Sequence, residues 1–70
     1  MDSCLFNRFY KVKIPFNSIC QCGCSFDVGE IWMPYHQLSK NRIMIKNDQG
    51  WAHKVKKSTF FRCCELTKEN

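Results

Sequence analysis

The chain has 70 residues, six of them cysteine, and a formal net charge of +5 with a pI of about 9. Its 44% hydrophobic and 14% aromatic content excludes a disordered chain and fits one small globular domain, with no room for a second. No apolar run approaches the ~18 residues that span a bilayer, so no membrane partner is expected, and the positive balance favours anionic partners.

A domain this short buries only about 60% of its unfolded surface. Disulfides, a metal or a partner are therefore natural aids to stability. The opening Met1-Asp2-Ser3-Cys4-Leu5-Phe6-Asn7-Arg8 lacks the basic and apolar regions of a signal peptide. The expectation is a cytoplasmic protein with reduced cysteines.

Taken in order, the first element is a strand in which Tyr10, Val12, Ile14 and Phe16 alternate with Lys11, Lys13 and Pro15. Pro15 cannot donate to a ladder and marks an edge or a strand end. A loop follows from Asn17 to Ser25, carrying Cys20-Gln21-Cys22-Gly23-Cys24. Phe26 to Tyr35 is a second extended run, with Val28-Gly29-Glu30 as a turn or bulge and Pro34 weakening its end. The polar stretch His36 to Asn41 connects onward, with one helical turn at most in Gln37 to Arg42.

The next stretch, Arg42 to Val55, organises the rest. Ile43 and Ile45 alternate with Arg42, Met44 and Lys46, then Asn47-Asp48-Gln49-Gly50 turns the chain. Trp51, His53 and Val55 alternate with Ala52, Lys54 and Lys56 on the return. This is a β-hairpin, and it is basic: from Lys40 to Arg62 there are seven Lys or Arg against one acid, Asp48. Ser58-Thr59-Phe60 reads as a short turn, Phe61 to Leu66 as a last strand, and Thr67 to Asn70 as a frayed tail.

Several short strands joined by short loops predict an all-β domain, a small closed or nearly closed barrel of about five antiparallel strands spanning roughly residues 9–66. The run Phe26-Asp27-Val28-Gly29-Glu30-Ile31-Trp32, the hairpin Ile43 to Trp51 and the turn Ser58-Thr59-Phe60 resemble the plan of the SH3-like barrel. That superfold implies no single function. The cysteine-bearing loop departs from the plan. In size and in its use of Asn, Lys, Ile and Phe the chain also resembles the accessory proteins of bacteriophages. That likeness implies a host-cell cytoplasm and an accessory or inhibitor role.

Three chemistries are open. Cys20, Cys22, Cys24 and Cys63 are the candidate ligands of a structural zinc, with His36 or His53 in reserve. There is no C-x-x-C, so free thiols compete with that reading, and disulfides would need an oxidising compartment. Cys63 and Cys64 are adjacent, so on one strand at most one of them enters a core. Lys11, Lys13, Arg42, Lys46, Lys54 and Lys56 form a candidate basic strip for nucleic acid. Trp32, Tyr35 and Trp51 form a candidate aromatic patch for a host protein, and Phe9 and one of Phe60 and Phe61 are further candidate exposed rings. No phosphate loop, paired carboxylates or triad signature is present. The chain is therefore expected to be a binding module that modulates a host protein or nucleic-acid machinery, and not an enzyme.

Overall fold

The computed structural model describes residues 5–21 and 23–67. The strands are β1 (Tyr10–Val12), β2 (Phe16–Asn17), β3 (Ser25–Phe26), β4 (Ile31–Ser39), β5 (Arg42–Lys46) and β6 (Ala52–Lys56), followed by helix α1 (Lys57–Cys63) and strand β7 (Cys64–Leu66). Five strands make one antiparallel sheet in the order β6-β5-β4-β1-β7, while β2 and β3 pair as a separate ribbon. The sheet does not close, because β6 and β7 remain its two edges. The expected barrel is thus an open sheet. β1 and β7 have three residues each, which leaves little strand to curl round towards β6.

The basic hairpin forms as its alternation demands. Ile43 lies opposite Val55, Ile45 opposite His53, and both isoleucines are fully buried. Its turn is held by one side chain. Asn47 Oδ1 accepts the backbone N–H groups of Gln49 and Trp51, both at 3.0 Å. Gly50 has φ 91°, a left-handed conformation that costs a side-chain-bearing residue ~1–2 kcal/mol. Trp51 falls outside the strand and is 66% exposed, so the inward alternation begins at His53.

The first strand is shorter than its alternation predicts. Lys13 and Ile14 both donate backbone N–H groups to Cys63 O, which turns the chain before Pro15 and leaves Ile14 exposed. Phe16 returns to the core on β2, against Phe26 of β3. Conversely, β4 runs through Pro34 as far as Ser39. Pro34 lies opposite Ile45, and its carbonyl accepts the N–H of Asn7 at 2.7 Å. N and O of one residue point to the same side of a strand, so the missing N–H faces away from β5. The β4–β5 ladder loses no bond, and bulges after Pro34 and Gln37 absorb the misfit.

The predicted turn at Ser58-Thr59-Phe60 is a helix reaching Cys63, so Phe61 and Arg62 are helical and not extended. Its first N–H groups are satisfied from a distance. Asn41, in the tight turn between β4 and β5, accepts Lys57 N–H on its carbonyl at 2.8 Å and Ser58 N–H on Oδ1 at 2.9 Å. Phe60 is fully buried and meets Tyr10, Phe16 and Phe61 edge-on. Cys63 ends α1 and Cys64 opens β7, and both lie in the core. The expectation that at most one of them is buried fails because the helix-to-strand change rotates the second thiol inward.

Candidate binding surfaces

The inner side of the sheet ends in an open groove of about 870 Å³. Phe26, Trp32 and His53 form its floor, and Phe9, Ile31 and Trp51 are its apolar walls. The turn at Asn47 to Gly50 sets Trp51 at the mouth, while β4 contributes adjacent residues because the groove wraps round the start of that strand. Trp32 is a core residue at 6% exposure. Its Nε1 donates to Glu30 Oε1 at 2.9 Å, which holds that carboxylate at the rim. Asp48 is a second acid lining the groove.

His53 stands half-buried between Phe26 and Trp32, with edge-on centroid distances of 5.5 and 5.6 Å. Its Nδ1 lies 3.8 Å from Cys20 Sγ, which also donates to Ser18 Oγ at 3.2 Å. The loop bearing Cys20 is pinned to β6 by Ile19 N–H on Lys54 O and closed by Gly23 N–H on Cys20 O. Cys24 lines the groove. Of the other candidate zinc ligands, Cys63 is buried in the core at the end of α1, and Cys22 lies outside the described residues. Among the described residues no three His, Cys, Asp or Glu side chains converge to hold an ion. Burial pushes the Cys64 thiol up to about 12, and the adjacent Cys63 adds to the rise. Burial likewise raises Tyr10, whose hydroxyl donates to Leu5 O at 3.0 Å.

The six cations of the predicted strip do not form one run. Arg42 and Lys46 on β5 lie beside Lys56 and Lys54 on β6, with Arg42 directly opposite Lys56 and Lys54 opposite Met44. Lys11 shares their side of the sheet, but it sits on β1 between Ile31 and Glu65. Lys13 pairs with Glu65 at 3.3 Å. The aromatic patch divides in the same way. Trp32 and Trp51 line the groove, whereas half-buried Tyr35 lies under the Lys46 ammonium, 4.9 Å from the ring centroid.

Sequence reasoning missed Glu30, Ile31, Asp48 and His53 as groove residues. Glu30 and Ile31 precede the predicted Trp32, and Asp48 and His53 flank the predicted Trp51, so both tryptophans carried a usable signal. What joins these residues is the neighbouring position of the β4 start and the β5–β6 turn, which alternation alone does not give. No known protein family, no curated protein and no solved structure matches the chain.

Proposed function

We propose that this protein is a non-enzymatic binding module that takes an apolar segment of a partner protein into the groove beneath Trp51. The observation that carries the reading is Trp51 itself, 66% exposed at the mouth of an apolar groove. A large ring left in water on a tight turn is the kind of anchor that dominates protein interfaces. Phe9 and Ile31, 40% and 39% exposed, extend the apolar wall beside it. Glu30 and Asp48 favour a segment with a basic flank.

The strand order also supports an SH3-like plan in open form. A β2–β3 excursion separates β1 from β4, a β4-β5-β6 meander follows, and a helix leads to a last strand that pairs with β1. Modulation of nucleic-acid machinery by masking a protein surface fits a module of this size.

The test is affinity capture from nuclease-treated bacterial lysate, with wild type, Trp51→Ala and Ile31→Asp as baits. Captured proteins are then purified and titrated directly. Trp51 is exposed, so its truncation should change stability by less than about 0.5 kcal/mol, while a hot-spot ring costs ~2 kcal/mol or more of binding. A purified partner that binds all three baits equally would overturn the groove reading.

A further inference from the structure

We propose that the outer face of the β5–β6 hairpin binds single-stranded nucleic acid, with Arg42, Lys46, Lys54 and Lys56 meeting phosphates and Tyr35 meeting a base. This surface is distinct from the groove, and its test does not depend on the groove reading.

Arg42 and Lys56 are cross-strand partners, both exposed and of the same sign. Like charges directly opposite one another destabilise a sheet. The fold has acids available, yet Glu30 and Asp48 line the groove and Glu65 sits on the far edge strand with Lys13. No carboxylate lies within ion-pair distance of Arg42, Lys46, Lys54 or Lys56 among the described residues. A repulsive pair kept clear of counter-charge complements a polyanion.

Lys54 and Lys56, two residues apart on β6, are separated by about 7 Å, Arg42 and Lys46, four apart on β5, by about 13 Å, and the cross-strand pair Arg42 and Lys56 by about 5 Å. They lie on one face of a hairpin that β5 joins to β4 and the rest of the five-stranded sheet, so it cannot enter a duplex groove as a free two-stranded ribbon would. Met44 lies between Arg42 and Lys46, opposite Lys54, and Met33 lies beside Lys46 on β4. Both are half-buried, so they offer an apolar bed beside the charges. Tyr35 supplies a ring at the side of the bed, with Lys46 already placed against it. Cations tracking a backbone beside a ring that can stack is the combination that binds single strands without reading sequence. A duplex would present phosphates to the cations but no base faces to Tyr35.

The experiment is fluorescence anisotropy with a labelled oligo-thymidylate of about 15 nucleotides and a duplex of the same length, between about 50 and 200 mM salt. Four phosphate contacts predict a log–log slope of about −2.8 for the single strand. Lys54→Glu with Lys56→Glu should halve that slope and weaken binding by about tenfold or more at the low-salt end. Lys56→Glu alone separates binding from folding. It turns a repulsive cross-strand pair into an attractive one, so its melting temperature should hold or rise while affinity falls. Tyr35→Ala should weaken binding without changing the slope. The proposal is overturned if no saturable binding is seen at low salt, if a folded Lys56→Glu protein binds as tightly as wild type, if the duplex binds as tightly as the single strand, or if Tyr35→Ala has no effect.

Discussion

Asn41→Ala tests whether an exposed turn residue holds the helix. Asn41 Oδ1 accepts the N–H of Ser58 at 2.9 Å, and α1 has no side-chain cap of its own at Lys56. Removing that acceptor leaves one N–H at the helix start to water, while the bond from Lys57 to the Asn41 carbonyl stays. Loss of a capping side chain costs ~1 kcal/mol. In a domain of this size that corresponds to a fall in melting temperature of about 4–8 °C. Asn41→Asp keeps an acceptor and places a negative charge at the helix start, so it should match or exceed wild type. Thermal unfolding followed by circular dichroism measures both. An Asn41→Ala protein melting within about 1 °C of wild type would refute the inference that the β4–β5 turn caps α1. So would equal losses in the two variants, which would place the effect in turn propensity.

Three further outcomes follow from the packing. Phe60→Ala removes a fully buried ring in contact with three others, at a cost of about 3–5 kcal/mol. That is a large part of what a small domain possesses, so urea denaturation should find it largely unfolded. Gly50→Ala meets no atom within 4 Å, so its cost is conformational alone, ~1–2 kcal/mol, and D-alanine introduced by chemical synthesis should remove it. Cys64 has an ordinary value of 9.0 that folding raises to about 12. Between those values the unfolded chain gives up the thiol proton and the folded chain keeps it, so stability falls as pH rises across that window. Unfolding free energies measured along an alkaline series should fall less steeply for Cys64→Val than for wild type.

The β5–β6 hairpin was legible because its signals are local: alternation on both arms, and a turn whose Asn and Gly act within a few residues. The length of β4 was not. Pro34 reads as a stop, and only its position beyond the end of β1 makes a missing N–H harmless there. The helix was read as a turn for a similar reason. Phe60, Phe61 and Cys63, with Cys64 just beyond, have no clear period, and the acceptor of its first N–H groups lies on a turn well before it in sequence. Trp51 stood out as a candidate by its type, but its exposure was not separable from the burial of Trp32, since the two differ only in where the sheet puts them. The basic strip divided because alternation says which side of a strand a lysine takes, and not which strands are neighbours.

The pairing of β1 with β7 bears on how the chain folds. Tyr10 lies opposite Leu66 and Val12 opposite Cys64, so this edge of the sheet joins the two ends of the domain. Such a contact closes nearly the whole chain into a loop, and its entropy must be met before any ladder bond forms. The β4-β5-β6 meander needs only short closures and can assemble early. The clamp of Lys13 and Ile14 on Cys63 O, which joins β1 to the end of the helix, is then expected to form late. Chain synthesis has the same order, since β1 leaves the ribosome first but waits for the last strand. Until then the exposed edge of β1 and the uncovered Tyr10, Val12 and Phe60 are open to other chains, and aggregation is expected to be fastest in that interval.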